Sequence, residues 1–287
     1  MKDEPRRYAT AAAFRIALEA RLKMTAQTEG IDLQRLRRQV SFDRLLARLF
    51  SEQNAPWLLK GGYAMELRIR TARTTKDIDL SLPVDATSER KGRVLEHLQT
   101  SAARDLTDFF VFSIGQPMMG LDAAPEGGAR YPVTALLAGR VFTKFHLDVG
   151  MGDAAIQPTE LLEGRNWLSF AGIEPPKFAA ISKEQQFAEK LHAYTIPRLE
   201  GTNSRVKDVV DMALLLRLGT LDRERLSEAI RTTFALRNTH VLPVVLPEPP
   251  PSWNAPYQIL AIECGLAWTL QEALQGIGTL LSDEIAG

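Results

Sequence analysis

Asp77 and Asp79 stand two residues apart in the run "KGGYAMELRIRTARTTKDIDLSL", Lys60 to Leu82. Strict alternation over Asp77–Leu82 predicts a strand with Asp77, Asp79 and Ser81 on one face and Ile78, Leu80 and Leu82 on the other. The two carboxylates then project side by side, about 7 Å apart along the chain. Oxygen donors in that arrangement suit hard divalent cations, and a pair of such cations can hold the attacking and leaving oxygens of a phosphoryl transfer. An Asp-x-Asp pair also occurs on ordinary soluble surfaces, so the surroundings have to decide between the two readings.

Gly61-Gly62 lies between a short apolar strand candidate, Trp57–Leu59, and a helix start at Tyr63–Arg68. Backbone N–H groups there can approach a phosphate, although tight turns need glycine in any case. Lys60 precedes the glycines and no GxxxxGK[ST] is present, so this is not a P-loop; the lack of GxGxxG argues against a dinucleotide fold. Val141–Val149 alternates, placing Val141, Thr143, Phe145, Leu147 and Val149 on one face and Phe142, Lys144, His146 and Asp148 on the other. That polar face is either open to solvent or lines a site. Lys190 lies beside the stripe Phe187–Leu191–Tyr194, where a snorkelling surface lysine is the ordinary reading. Asp208 and Asp211 are one turn apart on a helix that is apolar nearly all round. Buried carboxylates need partners, which Lys190, Arg205 or a ligand could supply, and a purely structural Lys–Asp bridge is the competing account. His97, His146, His192 and His240 show no zinc spacing and read as structural or surface residues, Cys264 as core.

The elements that must position these groups are readable in outline. Phe14, Leu18 and Leu22 predict a first helix ended by Gly30, and Asp32 can cap a second one through Leu49. The other face of that second helix carries Arg35, Arg37, Arg38, Arg44 and Arg48, expected to be solvated. Phe109–Ile114 reads as a further strand. From about residue 181 the pattern is helical: Ser182 caps "KEQQFAEKLHAYTI", Gly219 ends "SRVKDVVDMALLLRLG", and "LDRERLSEAIRTTFALRN" follows. After the proline-rich "LPEPPPSWNAPYQ" comes a last helix of about 20 residues. The coarse expectation is a helical arm, a small mixed sheet with helices, and an α-helical C-terminal half. The 35 basic residues balance the 35 acidic ones, which gives no support to general nucleic-acid coating, though a locally basic cleft stays open. One cysteine excludes an internal disulfide framework, and no apolar run is long enough to span a membrane. A soluble, cytoplasmic protein is the expectation.

The quoted run closely resembles the signature of the AbiEii/AbiGii nucleotidyltransferase toxins, found in type IV-like toxin–antitoxin and abortive-infection (phage-defence) systems. The resemblance extends to the arginine-rich helix before it, to the "EKLHAY…RVKDVVDMALL" block and to the tail "LPEPPPSWNAPYQILAIECGL". It implies an α+β fold with a polymerase-β-like nucleotidyltransferase core. The parts would be a helical N-terminal arm (1–55), a sheet domain (56–175) and a helical C-terminal domain (176–287). The implied activity is transfer of a nucleoside monophosphate from an NTP, with Mg²⁺ or Mn²⁺, to RNA; some members use the 3′ end of tRNA. Transfer to a small molecule or protein is the alternative, as is a non-catalytic protein that binds nucleotide or partner. Gly61 and Gly62 would contact phosphate, Asp77 and Asp79 would bind metal, Lys190 would match the family lysine and Asp208 the essential acid, with Asp211 its rival. Asp148 would be a third metal carboxylate. Lys60, Arg73, Thr75 and Lys76 would line the nucleotide, with Arg68 and Arg70 adding positive charge. A cognate antitoxin protein or kinase is the implied partner. A phosphate on Thr75 would repel the donor, whereas capping a turn is the ordinary role of a hydroxyl there.

Overall fold

The computed structural model describes residues 8–84, 91–121, 124–197 and 205–286. Residues 1–7, and Ser204 at the start of the helical run expected there, lie outside these. Two compact units are present: Met1–Leu67 with Thr74–Gly152 and Leu161–Ala180, and Arg68–Arg73 with Asp153–Glu160 and Ile181–Gly287.

In the first unit, α1 (Ala11–Glu29) is capped by the Thr10 hydroxyl and stopped by Gly30 in the left-handed region, and it buries Phe14, Leu18 and Leu22. The Asp32 carboxylate caps α2 (Leu33–Leu49) by accepting from the Arg35 amide, so both boundaries follow the local chemistry expected of them. The helix α3 (Gly61–Arg68) starts on the two glycines themselves rather than after them. A short helix α4 (Val94–Ala102) completes the unit.

The strands are β1 (Leu58–Lys60), β2 (Asp77–Pro83), β3 (Phe110–Ile114), β4 (Met119–Gly120), β5 (Gly128–Leu137), β6 (Arg140–Asp153), β7 (Glu160–Glu163) and β8 (Lys177–Ala180). They form one mixed sheet in the order β3-β5-β6-β2-β1-β8-β7, with β4 beside β5. Strand β1 runs antiparallel to β2 and parallel to β8. The core behind the sheet combines Phe14, Leu36, Phe42, Leu45, Ile78, Leu80, Val133, Phe145 and Leu147. This is the expected α+β architecture.

Three details depart from the sequence reading. First, β5 was not anticipated; it joins β6 through Ala138-Gly139, both at positive φ, as a two-residue hairpin turn requires. Second, a register shift between Ala135 and Leu136 leaves Phe142 as an extra residue on β6. That bulge turns Val141 outward, 50% exposed, and Phe142 inward, so the face assignment fails at these two residues and holds from Phe145 onward. Third, Arg44 and Arg48 are buried rather than solvated. Asp108 accepts from Arg44 Nε (2.6 Å) and from Arg48 Nη2 (2.6 Å), and Arg48 also donates to the Phe110 carbonyl (2.7 Å). The carboxylate supplies the counter-charge that burial of two guanidiniums demands.

The second unit is helical. Ser182 caps α5 (Lys183–Thr195). Helix α6 (Val206–Arg217) is followed by Gly219 at positive φ, and Asp222 caps α7 (Arg223–Arg237). The last helix expected is two, α8 (Asn254–Glu263) and α9 (Leu270–Ala286), separated at Gly265, whose φ of 58° a continuing helix cannot adopt. No helix of the described residues is long and apolar enough to cross a membrane.

Asp43 on α2 is fully enclosed. Its Oδ1 accepts from Tyr63 Oη (2.6 Å) and its Oδ2 from the Arg165 amide (2.9 Å). Burial, opposed by those bonds, pushes the carboxyl up to about 7 from 3.8. When protonated, the carboxyl can donate to the Tyr63 oxygen while that hydroxyl donates to the Gln39 carbonyl (3.3 Å). A raised folded-state value means that the stability contributed is complete below 3.8 and is lost as pH rises through about 7. Urea unfolding from pH 5 to 8 should therefore show the wild type losing stability relative to Asp43→Asn by on the order of a few kcal/mol. Parallel profiles for the two proteins would rule this out.

Candidate active site

On β2 the alternation puts Asp77 and Asp79 on the face opposite Ile78 and Leu80, both fully buried. Lys60, the last residue of β1, is the direct cross-strand partner of Asp79. The glycine pair that follows is explained by space. Gly61 has φ of 65°, and a Cβ there would overlap the Asp79 carboxylate. A Cβ on Gly62 would come within 2.6 Å of Thr75 Oγ1. The Gly62 amide donates to Asp79 Oδ2 at 3.3 Å. The start of α3 thus wraps the second carboxylate of the pair and the hydroxyl of Thr75.

Thr75 is held by its backbone as well. Its amide donates to Glu66 Oε1 (2.6 Å), and its hydroxyl donates to the Asp77 carbonyl (3.3 Å). Glu66 is buried on α3, where its other oxygen accepts from Gln39 Nε2 (2.5 Å) and Arg35 Nη2 (3.2 Å) of α2. One buried carboxylate therefore ties two helices to the loop that leads into β2. Lys76 in that loop is exposed, as is Arg70.

Asp148 on β6 lies in the strand next to β2 and directly across from Arg130 of β5. Arg130 grips it through two parallel bonds, Nε to Oδ1 and Nη2 to Oδ2, both 2.7 Å. The same Nη2 is 3.6 Å from Asp77 Oδ2, while His146 Nδ1 is 3.3 Å from Asp77 Oδ1. The bond to Asp148 and the charges of Asp148, Asp77 and Asp79 hold the guanidinium above its already high ordinary value. The sheet face thus brings Asp77, Asp79 and Asp148 around one arginine. Among the described residues no group of three or more His, Cys, Asp or Glu side chains is arranged to hold a metal ion. The donor chemistry nonetheless fits a hard cation. The three carboxylates offer only oxygen, and they already gather about a positive charge. Their oxygens turn to Arg130, His146 and the Gly62 amide rather than to one shared point.

A second cluster lies within the helical unit. Lys190 of α5 donates to Asp208 Oδ1 (2.8 Å) and sits 3.0 Å from Asp211 Oδ2, both on α6. It is not a snorkelling surface side chain. Arg73 forms a fork with Asp211 (3.0 and 2.8 Å), and Arg205 is 3.6 Å from Asp208. Burial alone would lower the Lys190 ammonium, but Asp208 and Asp211 outweigh it and hold the group above its ordinary value. Likewise burial would raise Asp211, and Lys190 and Arg73 together pull it below the usual carboxylate range. Arg68 is engaged with Glu160 (2.8 Å), Gln186 and the Ile181 carbonyl, and its side chain is 5% exposed. It is a structural cation, not one open to a phosphate.

Arg130 and Glu66 escaped the sequence reading, and His146 was singled out only as part of a polar strand face and otherwise read as structural or surface. Arg130 is the third residue of a strand whose alternation, Tyr131, Val133, Ala135, Leu137, is visible but carries Pro132, which masks it. Nothing local marks Glu66, since its three partners come from α2 and from the loop before β2.

Residues 44–275 match the nucleotidyl transferase AbiEii toxin family of type IV toxin–antitoxin systems. Among solved structures the chain is similar to MenT4, a nucleotidyltransferase toxin from Mycobacterium tuberculosis H37Rv, with a TM-score of 0.53 at 16% identity over 93% of this chain and 98% of that one. JHP933 from Helicobacter pylori gives 0.46 at 14% identity over 88% and 93%. At such identities the likeness to MenT4 shows the fold alone, and JHP933 adds no argument. No match to a curated protein was found.

Lys190 is 16% exposed and Asp211 not at all. Removing the ammonium in Lys190→Ala leaves Asp208 with only the more distant Arg205 and Asp211 with Arg73 alone. A loss of about 3–5 kcal/mol is expected from breaking one partner of a buried ion pair. Calorimetry of the variant checks this, and an unchanged melting temperature would show that the cluster contributes nothing to the fold.

Proposed function

This chain belongs to the nucleotidyl transferase AbiEii toxin family, and from that premise we propose that it transfers a nucleoside monophosphate from an NTP to RNA, at the 3′ end of tRNA, and so blocks translation. The acceptor hydroxyl oxygen forms a bond to the α-phosphorus, the bond to the β-phosphate oxygen breaks, pyrophosphate leaves and the hydroxyl proton is released. The observation that carries the reading is the set of three carboxylates, Asp77, Asp79 and Asp148, on one face of the sheet beside the glycine start of α3.

Asp77 and Asp79 would hold Mg²⁺ or Mn²⁺, which when bound neutralises charge on the phosphates. Gly61 and Gly62 would contact phosphate at a helix N-terminus, where anions are favoured, with the Asp79 carboxylate that now fills the space beside them turned to the metal. Lys60 and Lys76 contribute positive charge that draws in the triphosphate. In the helical unit Asp208 is the better candidate for the essential acid. It lies in the first turn of α6 and retains some exposure, whereas Asp211 is sealed between Arg73 and Lys190. Control by a cognate antitoxin acting as a kinase is proposed at Thr75, whose hydroxyl lies against Gly62 and the Asp77 carbonyl.

Incubation with labelled NTPs, Mg²⁺ and total RNA is the direct test. Label should appear in tRNA, disappear on chelation, and fall by several orders of magnitude in Asp79→Asn while the unfolding midpoint holds or rises. Label on protein or a metabolite, or none, would overturn the RNA reading. Thr75→Glu places negative charge beside Asp77 and should abolish transfer, whereas Thr75→Ala should retain much of it. Full activity in Thr75→Glu would remove Thr75 as the point of control.

A further inference from the structure

Arg130 makes a pair of contacts that a static salt bridge does not require. Its fork saturates both oxygens of Asp148, and the same guanidinium nitrogen that bonds Asp148 Oδ2 reaches toward Asp77. The cross-strand register of β5 and β6 places it directly opposite Asp148, so its presence at the carboxylates is built into the sheet. Its side chain is nevertheless 30% exposed, as is that of Asp77, so the arm has room to leave. A divalent cation drawn to Asp77 and Asp79 would find that guanidinium within ion-pair distance of one of its ligands, and two positive charges cannot share those oxygens at that range. His146 Nδ1 lies 3.3 Å from the other oxygen of Asp77, so both oxygens of that carboxylate already face nitrogen.

We propose that Arg130 is the resident counter-ion of the carboxylate face. It holds Asp77 and Asp148 in register while the site is without nucleotide, and its withdrawal from Asp77 is the step that admits a divalent cation. This rests on the assignment of Asp77 to metal binding. The arginine thereby weakens metal binding by the free protein in proportion to the time it occupies the carboxylates, because apparent affinity scales with the fraction in the competent state. Phosphate oxygens arriving with the donor give the displaced guanidinium an anion of matching bidentate geometry. Metal and nucleotide are then taken up together rather than metal alone.

The test measures Mn²⁺ binding to the full chain without nucleotide, by the loss of the free-ion electron paramagnetic resonance signal. Arg130→Gln should bind Mn²⁺ on the order of tenfold more tightly than the wild type. Arg140→Gln removes the same charge at the far end of β6, roughly 25 Å along the strand, and should change nothing. Asp77→Asn should weaken binding both alone and in the Arg130→Gln background. If Asp77→Asn weakens Mn²⁺ binding but Arg130→Gln fails to tighten it, the metal assignment stands and the role given to Arg130 is wrong. If Asp77→Asn alters binding in neither background, the metal assignment fails and takes this inference with it. Should Arg130→Gln not fold, Arg130→Lys keeps a charge without the fork and should bind Mn²⁺ with intermediate affinity; an affinity equal to the wild type would overturn the proposal.

Discussion

Carboxylates crowded onto one face of a β-sheet repel each other, and something positive has to stand among them. Here the sheet supplies it. Strand β2 brings Asp77 and Asp79, β6 lies next to β2 and brings Asp148, and β5 pairs with β6 so that Arg130 falls opposite Asp148. Each contact depends on strand order, because side chains on one face meet only across neighbouring strands. Moving β5 by one residue would turn Arg130 to the core face and take its guanidinium away from Asp148 and Asp77.

The steric constraint at the glycine pair serves the same face. An ordinary residue at position 61 or 62 would collide with the Asp79 carboxylate or the Thr75 hydroxyl. The space that glycine leaves is filled by the acid itself, and the Gly62 amide bonds to it. Glu66, one turn further along α3, reaches the backbone of Thr75. The helix therefore fixes both ends of the segment on which the two aspartates depend, through its missing side chains at the start and a buried carboxylate in its middle.

The helical unit solves a different charge problem with the same chemistry. Two acids one turn apart on a buried helix would be prohibitive alone, and Lys190, Arg73 and Arg205 make them tolerable. The fork between Arg73 and Asp211 is planar and leaves that acid little freedom, whereas the single ammonium of Lys190 serves both carboxylates.

Much of this was legible in the chain. The strand Asp77–Leu82, the caps at Asp32 and Ser182, the stops at Gly30 and Gly219, and the pairing of Asp208 with Asp211 on one helix face all rest on local chemistry and period. Local sequence determines these because a cap, a stop or a face needs only a few neighbouring residues. What it left undecided was which residues far apart in the chain meet. Arg44 and Arg48 read as solvated because Asp108 is some 60 residues away. For Lys190 a surface side chain and a bridge to the buried acids both stayed open, because Asp208 and Asp211 lie on the next helix. The break at Gly265 and the bulge at Phe142 also lay beyond it, since a periodic pattern continues smoothly through a single displaced residue. Arg130 is the sharpest case. Its type and its strand are in the sequence, but which carboxylates it faces is a matter of strand order and register, and only the assembled sheet decides those.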